Sequence, residues 1–509
     1  MNALGVVKTL DSDKQPLWAT SLFPRPAQVL GLFQHLQYAL TAHAAIRRNC
    51  LPRLLLAVKK IPVFAYPIDI LGGETLSFVD CPCPAIILRK RKQSIMRPAL
   101  IVTCLVFLSS SHALQAEEAN WPGWRGPNRD DVSSESGLLQ EWPEGGPPQV
   151  WLFKDCGLGY SGPAIVGDRL YILGARNEEE QLICLQASNG KELWSASIGP
   201  ILENGWGNGP RSTPTVDGEL VFALGGQGNL ICCNTKDGSQ VWSKAMQDLG
   251  GSRPVWGYSE SPAIYGEKIL CTPGGEKGAI VALDKISGDL IWQTNELDDI
   301  AHYSSIVTTE HLGKPIGIQL LVSRLVGIDL ENGDVLWTSP WQGRVAVVPT
   351  PVVWEDKVYV TAGYGAGCMM VQMNDDHSVT PIYDNKLMVN HHGGVIRIGK
   401  NLFGHSDKKG WTCQDFDTGK KVWQEKHELG KGAIAYADGR FYCLSENDGD
   451  VVLIAASADG WQEHGRFRLD PQTELRSDRG KIWTHPVIAG GRLYLRDQEL
   501  LFSFDVVDR

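Results

Sequence analysis

Long apolar runs are scarce in this chain. Of 509 residues, 43% are hydrophobic, yet the most membrane-like stretch is a run of ten, Ala99–Leu108, within "MRPALIVTCLVFLSSSHALQA" (96–116). Ten residues fall well short of the roughly 20 that a spanning helix takes. Basic residues are short too. Residues 1–97 hold 13 of the 48 Lys and Arg and 5 of the 58 Asp and Glu, so the remainder carries 35 basic against 53 acidic residues, a net of −18. A body this acidic excludes phosphate-backbone binding, where clustered basic surface supplies most of the affinity, and no nucleic-acid partner is expected. Catalytic signatures are equally wanting. "GYSES" (257–261) lacks the last glycine of a nucleophile elbow, and "GYGAG" (363–367) runs into the strand-like "CMMVQM" where a phosphate loop would open a helix. "NDGD" (447–450) lacks the spacing of a calcium loop, and the adjacent His391 and His392 would point to opposite faces of a strand, so no metal site is expected.

The segment 96–116 explains the charge asymmetry. Arg97, the apolar run and the small residues of "SSSHA" and "ALQA" read as a secretory signal, with cleavage after Ala113 or Ala116. A signal-anchor reading from Met1, with "RKRK" (89–92) held in the cytoplasm, is the alternative. Cys104 lies inside the apolar run, so no lipobox is visible. Residues 1–95 show no repeat and read as a non-structural segment upstream of the true start. Residues 117–149 form an N-terminal extension, and 150–509 form the folded body. The mature chain is expected to be exported, periplasmic or extracellular, with no membrane span once the signal is removed.

What the sequence has is glycine, 55 residues, tryptophan, 17 residues, and a repeat. "CLQASNGKELW" (184–194), "CCNTKDGSQVW" (232–242), "ALDKISGDLIW" (282–292), "GIDLENGDVLW" (327–337) and "CQDFDTGKKVW" (413–423) share a small first residue, an Asp, Asn or Gln third, Gly seventh and Trp eleventh. Trp194, Trp242, Trp292 and Trp337 lie 48, 50 and 45 residues apart, and Trp423 follows after 86, two periods with one tryptophan lost between. Short alternating strands with turns every eight to twelve residues mean antiparallel all-β structure, and a period in the forties means propeller blades. Eight unit starts are recognisable, and the last unit runs out after three strands. "PQVWLFK" (148–154), whose Trp151 precedes Trp194 by 43 residues, supplies its fourth. The predicted fold is an eight-bladed β-propeller of four-stranded blades closed by an N-terminal strand, with these six tryptophans docking one blade on the next. Eight cysteines follow the signal, and Cys184, Cys232 and Cys413 share one repeat position with Ala or Gly. Small buried thiols are the favoured reading over a disulfide framework.

The five frames resemble the tryptophan-docking repeat of the PQQ-like quinoprotein family, A-x-D-x-x-T-G-x-x-x-W. "NWPGWRGPNRDDV" (120–132) is similar to the opening of exported PQQ-like propellers of planctomycete-type bacteria. The resemblance implies a propeller like those of the quinoprotein alcohol dehydrogenases and of the outer-membrane assembly factor BamB, a family split in function. Its catalytic members hold pyrroloquinoline quinone and Ca²⁺ in the central funnel, and many carry a disulfide between adjacent cysteines. Here the adjacent pair is Cys232 and Cys233, but strand register sends them to opposite faces. Of a calcium set, Glu260 with Asp298 or Asp299 are the only suggestions the sequence offers.

Aligning the unit starts gathers a column of residues just before the inner strands, on one rim of the channel: Tyr160, Arg211, Glu260, His302, Tyr303, His391, His392, Lys431, Trp483 and His485. "WGNGPR" (206–211) and "RPVWGY" (253–258) add Trp206, Arg253, Trp256 and Tyr258. Polar and aromatic groups at a concave mouth are a binding-site pattern. The favoured reading is a monomeric, cofactor-free binding or assembly platform for an envelope protein or an extracellular polymer. A dehydrogenase using pyrroloquinoline quinone and calcium, and a glycan- or peptide-binding module, are the alternatives.

Overall fold

The computed structural model describes residues 120–509. The segment 1–95 and the stretch 96–116 expected to be a signal lie outside the described residues. Eight four-stranded antiparallel sheets follow one another along the chain. Blade 1 comprises Ala164–Val166, Arg169–Arg176, Glu179–Gln186 and Glu192–Pro200, numbered from the channel outward. The inner strands of blades 2 to 8 are Thr215–Asp217, Ala263–Tyr265, Val307–His311, Val352–Trp354, Val395–Ile398, Gly432–Ala437 and Val487–Ala489. Among the described residues no α-helix occurs, and one 3-10 turn, Met246–Leu249, follows blade 2. The predicted closure is present: Gln149–Phe153 pairs antiparallel with Leu500–Asp505 as the outer strand of blade 8. Closure by a strand from the other end of the chain leaves no gap in the ring.

The repeat is a docking device, and each conserved spacing in it has a contact. The small first residue is the cross-strand partner of the tryptophan: Cys184 faces Trp194, Cys232 faces Trp242, Ala282 faces Trp292, Gly327 faces Trp337 and Cys413 faces Trp423. A bulge follows each of these pairs. The indole lies across its partner, and at Gly327 a β-carbon would sit only 2.2 Å from the Trp337 ring. The Asp or Asn at the third position caps the hairpin. Asp284 Oδ1 accepts from the amides of Ile286 and Ser287, and Asp415 Oδ1 from that of Thr418. Five of the six indoles then hydrogen-bond to the next blade, Trp423 through Ser457 O at 3.0 Å, while Trp337 Nε1 is buried without a partner. Trp151, Trp194, Trp242 and Trp292 donate Nε1–H to the carbonyls of Ala187, Thr235, Lys285 and Leu330, at 2.9–3.2 Å. All four acceptors are fourth residues of the following repeat. The seventh-position glycine meets the same ring. Gly288 has φ 75°, and a β-carbon there would lie 2.7 Å from Trp242. It is required both for the left-handed turn and for the close approach.

Two blades lack the tryptophan. In blade 5 the lost residue is Tyr383, paired with Met370 across the same bulge. Its hydroxyl donates to Phe416 O at 2.9 Å, and its ring covers Gly419. In blade 7 the position is Gly465, opposite Leu453, and Trp142 from the extension fills the place, packed on Tyr442 and Phe467.

The eight cysteines among the described residues are all buried and free, including Cys184, Cys232 and Cys413 at the repeat position. Cys232 packs into the core between blades 2 and 3 and Cys233 into that between blades 1 and 2, on opposite faces of one strand.

Candidate functional site

The extension is a plug. Trp121 pairs with Ile165 of blade 1, and the carbonyl of Pro122 accepts from the amide of Val216 in blade 2. Trp124 Nε1 donates to Thr350 Oγ1 at the start of blade 5, Arg125 Nη2 to Val395 O in blade 6 and Arg129 to Ser261 O and Pro262 O at blade 3. Asp131 and Val132 pair with Tyr436 of blade 7, and Asp131 Oδ2 lies 3.1 Å from His485 Nδ1 of blade 8. Seven of the eight blades are thus tied to a dozen residues. The chain enters beside the first turn of blade 1, where Asn120 Oδ1 accepts from Gly167 N, and leaves beside that of blade 7, where Leu138 N donates to Asp438. Inside, Arg125 and Asp131 form a fully buried ion pair at 2.7 Å. The channel is closed from its turn side and open at the other end.

At that open end lies a cavity of about 360 Å³, walled by the connections between blades and by loops joining second and third strands. Nine of the residues anticipated from the sequence line it: Tyr160, Trp206, Arg211, Trp256, Tyr303, His391, His392, Lys431 and Trp483. Their rings form a continuous wall. Tyr160 lies 5.0 Å from Trp483, Trp483 4.9 Å from His392, the stacked His391 and His392 3.6 Å apart and His391 4.5 Å from Tyr364. Trp256 and Tyr303 face across 5.8 Å. Arg211 sits over Tyr160 and Arg479 over Trp206, at 5.4 and 5.8 Å. Tyr160 is fixed by its hydroxyl, which donates to Trp206 O, and Arg211 by donations to the carbonyls of Gly207 and Gly209.

The remaining five anticipated residues do not line the cavity. Tyr258 and Glu260 flank the lining residue Ser259 and are buried, so a register of one residue divides wall from core. Tyr258 donates its hydroxyl to Pro273 O; Glu260 accepts from the amide and hydroxyl of Thr272. His485 is buried against Asp131 under Trp124, Arg253 is exposed, and His302 accepts from Val347 N. The sequence reading missed Trp124, Tyr364, Glu446, Arg479 and Lys481, which also line the cavity. Tyr364 and Glu446 stand on the loops between second and third strands, and Trp124 belongs to the plug. None of these falls in the column of unit starts.

Electrostatically the mouth inverts the body of the protein. Four cations, Arg211, Lys431, Arg479 and Lys481, face the cavity against one carboxylate, Glu446. Lys431 is paired with Asp407 at 2.9 Å and donates to His391 Nδ1 at 2.7 Å. Burial pushes His392 down to about 3, helped by the Lys431 charge, and drives His391 down for the same reason with His392 and Lys431 adding. Both imidazoles are therefore neutral near pH 7. His391 Nε2 and His392 Nδ1 are buried without a hydrogen-bond partner. Burial also raises Glu446 above the usual carboxylate range.

The calcium set implied by the dehydrogenases does not assemble. Glu260 is held by Thr272 with Gln319, and Asp299 by Ser323 and Arg324. Among the described residues no three His, Cys, Asp or Glu converge as metal ligands.

A family model described as outer membrane protein assembly factor BamB matches residues 148–295 and 178–425. The chain belongs to this family. Its BamB relative from Burkholderia pseudomallei (strain K96243) is 24% identical over 367 residues, covering 69% of this chain and 86% of that protein. The Escherichia coli K12 BamB is 23% identical over 346 residues, covering 60% and 76%. The tetrathionate hydrolase of Acidithiobacillus ferrooxidans is 21% identical over 332 residues, 62% of this chain and 53% of that one. Among solved structures, BamB from Moraxella catarrhalis superposes with a TM-score of 0.52 at 16% identity, covering 71% and 98%. Quinohemoprotein alcohol dehydrogenase from Comamonas testosteroni gives 0.52 at 9%, covering 77% and 81%. These two likenesses speak for the fold alone, and BamB-family propellers share it with dehydrogenases.

Proposed function

We propose that this BamB-family propeller is an exported binding or assembly platform of the cell envelope that takes its ligand at the open mouth of the channel. The single observation that carries the reading is the pairing of a plugged channel with an aromatic, cationic mouth. A blind funnel receives a ligand from one side only, and its rings exceed what capping a wet rim requires. The partner is an envelope protein or an extracellular polymer, consistent with the assembly role in the names of its BamB relatives. A dehydrogenase reading finds no ligand set for its metal among the described residues.

The test is copurification from envelope fractions. Trp206 and Tyr364 are 42% and 43% exposed at the mouth, so their replacement by alanine leaves the core untouched. The tagged protein is expected to fractionate outside the cytoplasm and to bring down a partner that the Trp206→Ala/Tyr364→Ala variant loses. Cytoplasmic retention, or a partner indifferent to these substitutions, would refute the reading.

A further inference from the structure

We propose that the ligand unit seated in the mouth is an acidic saccharide, its ring faces on the aromatic wall and its carboxylates on Arg479, Lys481 and Arg211. The inference rests on the mouth being the binding face. Charge is the first argument. Arg479 and Lys481 form no ion pair among the described residues, and Arg211 gives only two of its five N–H donors to glycine carbonyls, so three cations in one cavity lack a carboxylate partner. In a body of net −18 such a concentration selects for an anionic ligand.

Shape is the second. Tyr160–Trp483, His392–Trp483 and Trp256–Tyr303 meet at 42°, 40° and 58°, so neighbouring rings of the wall are tilted to one another. A flat heteroaromatic ligand wants two parallel faces, whereas a puckered sugar offers C–H faces to tilted rings. An extended peptide would look for an open strand edge, and the cavity is walled by connections between strands. Chemistry is the third. The lining hydroxyls of Ser259 and Tyr364 suit the hydroxyls of a sugar, which both donate and accept. At about 360 Å³ the cavity is at the small end of ligand pockets, roughly 300–1,000 Å³, and holds a chain terminus of a unit or two.

Titration of the purified protein by calorimetry and tryptophan fluorescence tests this, with trigalacturonate, neutral galactotriose and a triglutamate peptide as probes. Trigalacturonate is expected to quench fluorescence and to bind at least about ten-fold tighter than either other probe. Arg479→Ala/Lys481→Ala should weaken it about ten-fold with the circular dichroism and melting curve unchanged, since Arg479 is exposed and Lys481 partly so. Equal binding of galactotriose would overturn the role of charge, and equal binding of triglutamate the role of the sugar ring. Failure of all three probes would end the proposal. If the mouth variant still loses its copurified partner in that case, the platform reading survives alone; if not, both fall.

Discussion

The docking contacts are set by single atoms. Five of the six indoles give their N–H to a carbonyl on the next blade, and four of the six rings lie on a glycine of that blade. Gly288→Ala therefore meets two penalties: a left-handed φ, about 1–2 kcal/mol, and contact with Trp242, about 1–3 kcal/mol more. Gly218 has a similar φ of 58° but nothing within 4 Å, so Gly218→Ala is expected to show the backbone cost alone. Urea unfolding of the two variants should separate them by the packing increment, and equal losses would deny the docking role. At this scale much was legible: the small residue, the cap, the glycine and the tryptophan each occupy the position that the repeat assigned. Tyr383 and Trp142 were not, because a tyrosine performs the same hydrogen bond with another ring and Trp142 comes from outside the repeat altogether. The mouth column was half legible for a related reason. Around Ser259 successive residues face opposite ways, so Ser259 lines the cavity while Glu260 is core; His391 and His392, expected on opposite faces of a strand, lie outside any strand and both line the cavity.

Two elements outside the seven contiguous blades hold the ring: the closing strand and the plug. Trp151 on the closing strand joins blade 8 to blade 1 through Ala187, and the buried Arg496 adds bonds to the carbonyls of Ser161, Leu173 and Gly157 across the same seam. Trp151→Ala is expected to cost about 3–5 kcal/mol, with faster hydrogen exchange concentrated in blades 8 and 1. Exchange rising evenly around the ring would speak against a seam. The closing strand was readable because a unit with three strands asks for a fourth. The plug was not, since its partners are spread over seven blades and leave no periodic trace in "NWPGWRGPNRDDV". Arg125→Ala strips Asp131 of its buried ion-pair partner and is expected to cost about 3–5 kcal/mol by denaturant titration. A loss under about 1 kcal/mol, the range of a surface pair, would mean that the plug is not packed as described.

For the whole molecule, pH acts through two buried sets of opposite sign. His392 and His405 are held at about 3 and about 4 against 6.5 in the unfolded chain. Below pH 6.5 the unfolded state takes up these protons first, so acidification from 6.5 toward 3 destabilises the fold. Burial raises Glu260 to about 7 against 4.5, so its protonated form supports the fold below 4.5 and that support fades as pH rises through 7. Glu260→Gln should flatten the stability profile between pH 4.5 and 7, and His392→Gln the fall below 6.5, as read by melting temperature across pH. Unchanged profiles would contradict both assignments.

The central claim is that the open mouth, and not the plugged face, meets the partner. Site-specific photocrosslinking in whole cells reads this directly, with a photoreactive amino acid placed at Trp206 or Tyr364 and, as the opposite-face control, at Gly218 or Gly439. Adducts with an envelope component from the mouth positions alone are the predicted result. Adducts from the control positions alone, or from neither face, would contradict the account.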